Sequence, residues 1–342
     1  MTEALAAHTV AAPPEAQIAE ILLSQLASRL THLFATLQLA DHLSDGPKTA
    51  EDLALVTDTH APTLYRILRT MASLGFITES ADHRFALQPL GAALRSGTPS
   101  HAAALIIGGE LLTRSLDHFL YSAKTGKPGF DRAFGVPLFD WLGANPAQAS
   151  LFNDTMVGFH GMEPAAVAAA YDFSALKTIA DVGGSTGNML ATILSNYPQL
   201  QGILFDLPHV VREAPALVEQ RGLTARVRVE AGSFFERVPV GADAYLLSHI
   251  IHDWNQDQCL TILGHCRRAM GSDGRLLLVE MVLPEGDAPH PGKLLDMVML
   301  TAPGGEERTA SQYRALLEQA GFRMTRVVPT ATPVSIVEAM PL

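Results

Sequence analysis

The residues best equipped for chemistry are His252 and the carboxylates placed around it. The apolar run Ala244-Tyr-Leu-Leu-Ser248 reads as a strand, and Ser248-His-Ile-Ile-His-Asp-Trp254 follows it directly. His252 and Asp253 are therefore expected just past the carboxyl end of a central strand, where open α/β sheets bind their ligands. Glu280 closes the next expected strand, Arg275–Glu280, and Glu307 lies in the loop Pro303-Gly-Gly-Glu-Glu-Arg308. An imidazole among carboxylates is a base whose proton affinity is raised and whose ring is held. That suits removal of a proton from a phenol attacking a methyl group. A phenol titrates near ~10 and an unperturbed histidine near ~6.5, so neighbouring carboxylates and concerted proton loss must narrow a gap of ~3–4 units. With 13 histidines in the chain, a strand-end histidine alone says little. The His-Asp pair with two further acids is what singles out His252, and His249 is the competing base.

The methyl source is read from a second stretch. Thr178–Val182 is a short apolar strand pattern that ends in Gly183-Gly-Ser-Thr-Gly187 and resumes with helical spacing at Asn188. Strand, glycine turn and helix open a nucleotide-binding α/β unit, and the helix start favours a negative group. Val182 stands where a dinucleotide fingerprint needs its first glycine, and the Gly-Lys-Ser/Thr of a phosphate loop is absent. The remaining pattern, D-x-G-x-S-x-G from Asp181, suits a ligand with a single carboxylate, S-adenosylmethionine. Asp206 ends the next strand, Gly202–Asp206, where it can take both ribose hydroxyls. Arg226–Glu230, Ala244–Ser248, Arg275–Glu280, Phe322–Val328 and Val334–Glu338 complete a doubly wound α/β sheet. Residues 166–342 are expected to be this Rossmann-like catalytic domain.

The first hundred residues read differently. Ile18–Leu43 is a helical stripe, of one helix or two, too apolar to stand alone, so it is expected to pack on another subunit. A short helix capped by Thr49, a second helix over Pro62–Leu74 and a hairpin over Gly75–Ser80 and His83–Leu87 give a winged-helix outline. Arg66 and Arg69 suit DNA, but two arginines in so acidic a chain favour a dimerisation module. Residues 101–165 are read as linking helices. Phe152, Met156, Phe159, His160 and Met162 there have the spacing of a core face or of an apolar lid over a flat substrate.

Bulk properties set the outer limits. At 342 residues the chain calls for two domains, and 48% hydrophobic against 17% charged residues describes a compact protein. A net charge of −11 argues against nucleic acid as a partner. No apolar run reaches the roughly 18 residues of a membrane span. The stretch MTEALAAHTVAAPPEAQ lacks a basic segment before an apolar core, so it reads as a frayed cytosolic tail. Cys259 and Cys266 lie seven residues apart on one helical pattern, ~10 Å at ~1.5 Å per residue, too far for a disulfide. They are expected to be buried thiols in a cytoplasmic protein.

Taken together, Asp181-Val-Gly-Gly-Ser-Thr-Gly187, Phe205-Asp-Leu-Pro208, Gly232-Ser-Phe-Phe235, His252-Asp-Trp254 and Gly304-Gly-Glu-Glu-Arg-Thr309 resemble the S-adenosylmethionine-dependent O-methyltransferases of the caffeate and acetylserotonin type. The resemblance covers nearly the whole chain. It implies a homodimer through the N-terminal domain and an aromatic hydroxyl as acceptor. It implies that Asp181, Gly183, Gly184, Asp206, Leu207 and Gly232 bind the cofactor, with Ser233 and Phe234 at its adenine and Ser248 facing it. His252 would be the base, next to Asp253 and bracketed by Glu280 and Glu307. Trp254, Asp296 and Met299 would line the acceptor pocket with Phe152, Met156 and His160. No metal is expected, because the metal-dependent catechol relatives lack this N-terminal domain. Three positions depart from the family: Ser185 replaces its third glycine, Ser233 a common aspartate, and Ser248 the lysine of plant members.

Two other readings stay open at this stage. One is a relative that keeps the cofactor but has turned to hydroxylation or decarboxylation. The other is a winged-helix regulator that senses the cofactor.

Overall fold

The computed structural model describes residues 13–342, so most of the stretch read as a frayed tail lies outside the described residues. The part that is described is helical. The first helix runs Pro14–Thr36, starting earlier than Ile18 because Pro14 occupies its first turn, where a missing N–H costs nothing. It ends at a left-handed Gln38 (φ 51°), after which Leu39–His42 adds one short helical turn.

The chain divides into two units: one runs to Thr113 and includes Ala147–Gly158, the other comprises Arg114–Pro146 and Phe159–Leu342. This division cuts across the expected linking region 101–165. Gly158 shows why: a Cβ there would overlap Pro99, so the segment is packed tightly on the first unit. That unit contains helices Ala50–Thr57 and Ala61–Ser73, then a hairpin of β1 (Ile77–Glu79) and β2 (Phe85–Leu87). Thr49 and Asp52 form the reciprocal capping box that starts the first of these helices. Phe34, Leu53, Leu64, Leu68, Met71, Ile77 and Phe85 make its core.

The second unit is built on seven strands: β3 (Thr178–Val182), β4 (Gln201–Asp206), β5 (Val227–Ala231), β6 (Ala244–Ser248), β7 (Arg275–Glu280) and, after the short pair β8 (Val282–Leu283) and β9 (Arg308–Thr309), β10 (Phe322–Pro329) and β11 (Ser335–Pro341). Their order in the sheet is β10-β11-β7-β6-β3-β4-β5. All neighbours are parallel except β7 with β11 and β11 with β10. The last two strands must run antiparallel, because residues 330–334 between them are too few for a crossover.

Side chains alternate strictly between the two faces. On β7, Leu277 and Val279 join one core while Leu276 and Leu278 join the other, and β6 repeats the pattern with Ala244 and Leu246 against Tyr245 and Leu247. Helices Glu163–Ala170, Asn188–Asn196 and Ala214–Gln220 bury the first face; Gln256–Ala269 and Ala310–Gln319 bury the second. Cys259 and Cys266 are both buried in the second core as free thiols. From β3 the chain moves outward to β4 and β5, then returns to β6 on the other side of β3. The crevice therefore opens at the carboxyl ends of β3 and β6. Among the described residues, no helix is long and apolar enough to cross a membrane.

Candidate active site

At the end of β3, Gly183 has φ +74° and Gly187 φ +92°, which L side chains rarely adopt. A Cβ on Gly183 would overlap the Ile250 side chain, and one on Gly184 would press on Leu204 and on the Asp181 carboxyl group. The glycine turn thus fits directly against the turn that carries His252. Asp206, closing β4, accepts the Ser185 N–H at 2.8 Å and the Leu207 N–H at 2.7 Å. Burial raises its proton affinity, and those two N–H groups oppose the rise. Asp181 is buried beneath it, pushed up to about 7 by burial and by the Asp206 charge. This backbone cradle beside a strand-end carboxylate suits a ligand with a ribose and one carboxylate.

Gly232 follows β5, with no room for a side chain beside the Phe205 ring. The Ser233 hydroxyl accepts the Phe235 N–H at 3.2 Å, so it supports its own turn. Phe234 meets Phe235 and Trp254 edge to face, and Trp254 also packs on Phe139. Ser248 is half-buried at the end of β6.

His252 lies in a single 3-10 turn, Ile251–Asp253, followed by the capping box of Asn255 and Gln258 that opens the next helix. Its Nδ1 lies 2.6 Å from Glu307 Oε1. When Glu307 is ionised it takes the N–H of Nδ1, which leaves Nε2 as the acceptor, with Asp253 Oδ1 3.6 Å from it. Glu280 has another task than bracketing the ring: Oε1 accepts the N–H groups of Ile250 and Ile251, at 3.2 and 2.9 Å, while Oε2 lies 3.8 Å from His252 Nδ1. It holds the turn more than the ring. Asp296 Oδ1 accepts the Glu307 N–H at 2.8 Å and so orients the loop that carries Glu307. Met299 is buried on the same helix, Gly292–Thr301.

The electrostatics depart from the expectation in one respect. Burial is the largest influence on His252 and lowers its proton affinity, against the upward pull of Asp253. The carboxylates are also buried and pay for it themselves: Glu307 is pushed up to about 7, Asp253 to about 6, and Glu280 well above the carboxylate range, helped by the Glu307 charge. The ring is held as expected, but its proton affinity is lowered rather than raised.

One group was not apparent in the sequence. His249 has a left-handed backbone (φ 53°), and its Nε2 lies 2.7 Å from Glu163 Oε2. His160 Nδ1 lies 3.1 Å from the same oxygen, and the two imidazoles stack with ring centroids 3.7 Å apart. Burial works to raise Glu163, but hydrogen bonds from both histidines outweigh it and hold it down at about 2. Burial drives His249 down to about 4. His249 is thus tied up by Glu163, its ring centroid 5.1 Å from that of His252. No local spacing pairs residue 163 with residue 249. Phe152 and Met156 stand on the helix Pro146–His160, in the stretch that belongs to the first unit.

Residues 117–323, more than half of the chain, match the O-methyltransferase domain family. The chain belongs to that family. This O-methyltransferase is 40% identical to a phenazine O-methyltransferase, PhzM, of Lysobacter antibioticus, across 97% of this chain and 98% of the relative. It superposes with a TM-score of 0.79 and 35% identity on the SAH-bound crystal structure of CalO1, a methyltransferase in calicheamicin biosynthesis, covering 96% of this chain and 98% of that one. A third relative, 35% identical over 91% of this chain and 86% of its own, is named aclacinomycin 10-hydroxylase RdmB, from Streptomyces purpurascens. The O-methyltransferase uses S-adenosylmethionine, and the cradle at β3 and β4 fits that cofactor.

Proposed function

We propose that the enzyme methylates a hydroxyl of an aromatic small molecule, with His252 as the base that takes the hydroxyl proton. The observation that carries this reading is the 2.6 Å contact between His252 Nδ1 and Glu307 Oε1. It commits one ring nitrogen to a carboxylate and leaves the other free to accept a proton.

Bound S-adenosylmethionine supplies a methyl group made electrophilic by a positively charged sulfur. Asp181, Gly183 and Gly184 would seat it, Asp206 and Leu207 its ribose, Gly232, Ser233 and Phe234 its adenine, and Ser248 would face it. Trp254, His160 and Met299 would line the acceptor side. Asp296, whose carboxylate is engaged with Glu307, acts through that residue. As the acceptor oxygen attacks, its proton passes to His252 Nε2, and the Nδ1 proton is shared more strongly with Glu307. Glu307 is well matched for sharing, since its affinity lies near 7. Asp253, 3.6 Å from Nε2, favours the imidazolium that forms. Base catalysis of this kind contributes about 10²–10⁴-fold, and the remainder comes from alignment of oxygen, carbon and sulfur.

The relatives named for aromatic acceptors support the acceptor class. The winged-helix-like module at the N-terminus, covering about the first hundred residues, would form a cytoplasmic homodimer. In its support, Ile18, Ile21, Leu22, Leu23 and Leu26 are each more than half exposed on the helix Pro14–Thr36. Light scattering after gel filtration tests that part, with Ile21→Glu expected to yield monomer.

The test of the reaction uses cofactor labelled in its methyl group and a panel of hydroxynaphthalenes, hydroxyphenazines and hydroxybenzoates. Label is expected in an aryl methyl ether. Cofactor binding without label transfer to any phenol would favour a hydroxylase-like reading instead.

A further inference from the structure

Glu163 is a buried carboxylate in an unusual position. Its side chain is 5% exposed, and among the described residues its only ion-pair partners are His160 and His249. No lysine or arginine neutralises it. The two imidazoles stack at 3.7 Å, so protonating both at once would set like charges in contact. As it stands, the trio sets one buried carboxylate against two imidazoles.

The three side chains bring two imidazole nitrogens and one carboxylate oxygen within 4.8 Å of one another. Two come from adjoining helices, His160 ending one and Glu163 beginning the next, and the third stands just past β6. His249 reaches the group through a left-handed backbone (φ 53°) that residues with a side chain rarely adopt. The His160 side chain is 26% exposed, which gives solvent a route to the group and leaves room for water as a further ligand.

We propose that His160, Glu163 and His249 form a site for one divalent transition-metal ion at the edge of the acceptor side, one that does not engage His252. Two imidazoles with one carboxylate suit zinc, cobalt or nickel and do not suit magnesium or calcium, which take oxygen ligands. Bonds of about 2.0–2.1 Å would replace the two N–H hydrogen bonds and spread the ligand atoms slightly from their present 2.7 and 3.1 Å. The ion supplies the positive charge that Glu163 lacks. A second set, His249, His252 and Glu280, shares one ligand with the first but would engage the base. The first set leaves His252 free.

Cobalt(II) provides the test, because its visible absorption reports inner-sphere nitrogen ligands. The full-length protein, stripped with chelator and then titrated, is expected to take up one equivalent with a four- or five-coordinate spectrum. Glu163→Gln and His160→Gln are each expected to weaken uptake at least tenfold, while His252→Gln leaves it unchanged. Should Glu163→Gln fail to fold, His160→Gln decides, since that side chain is partly exposed. Absence of the spectrum in the unaltered protein, uptake by the site variants equal to that of the unaltered protein, or its loss in His252→Gln would each overturn the proposal. None of these readouts needs a methyl acceptor, so the ion site and the reaction stand or fall separately.

Discussion

Glu307 Oε1 and His252 Nδ1 lie 2.6 Å apart although 55 residues separate them in sequence. The contact is the end of a short relay: Asp296 holds the Glu307 backbone, Glu307 holds the ring, and the ring presents Nε2. Glu280 holds the turn from the other side, through two backbone N–H groups.

Removing the ring should separate chemistry from binding. His252→Ala is expected to lower turnover by at least about a hundredfold, the usual share of a general base. Cofactor affinity by calorimetry should stay within about threefold. Unchanged turnover would mean that alignment alone carries the reaction, or that His249 can serve despite its engagement with Glu163.

The two glutamates should respond differently to the same change. Glu280→Gln keeps an oxygen for the Ile250 and Ile251 N–H groups, and Glu280 is already pushed toward its neutral form. Melting temperature and turnover are therefore expected to change little. Glu280→Ala leaves both donors buried without a partner, at about 1–3 kcal/mol each, and should lower the melting temperature clearly. Glu307→Gln should melt near the unaltered protein yet lose about tenfold or more in turnover, because the imidazolium loses its charged partner.

Two groups set the acid side of the pH profile, both with the same sign. Glu307 titrates near 7, and protonating it removes the charge that supports His252. His252 is lowered from its ordinary value, near ~6.5, so it takes its own proton only at more acid pH. Turnover at saturating cofactor is expected to fall in two steps as pH drops, one near 7 and one below about 6.5. Only the lower step should remain in Glu307→Gln. A step near 7 that persists in this variant would contradict the assignment.

Gly305 offers a purely steric prediction. A Cβ at that position would overlap the His252 carbonyl oxygen and crowd the backbone of Asp253 and Trp254. The same carbonyl accepts the Glu306 N–H at 2.8 Å, so the two strands of backbone are locked together. Gly305→Ala is expected to cost about 1–3 kcal/mol of stability and most of the turnover, read by thermal denaturation and initial rates. A fully active, equally stable variant would show that the turn has slack.

Much of this arrangement was legible in the residues. Thr178–Val182, Ala244–Ser248 and Arg275–Glu280 are strands with the expected bounds, because runs buried on both faces are short and apolar and stop where polar residues or glycine begin. The capping boxes at Thr49 and Asn255 are local chemistry and were equally readable. The bond between Asp296 and Glu307 was not, since nothing in the spacing of the two residues indicates which backbone group the aspartate meets.

The amino-acid order by itself determined the sheet, the glycine turn, the cofactor class and the candidate base, all of which depend on periodicity and on motifs a few residues long. The tertiary structure decided how the acids divide their work, with Glu307 on the ring, Glu280 on the turn and Glu163 on His249. It also decided that burial lowers the proton affinity of His252. Both depend on burial and on contacts between distant segments, and the energy of burying a charge is a property of the folded surroundings rather than of the residue.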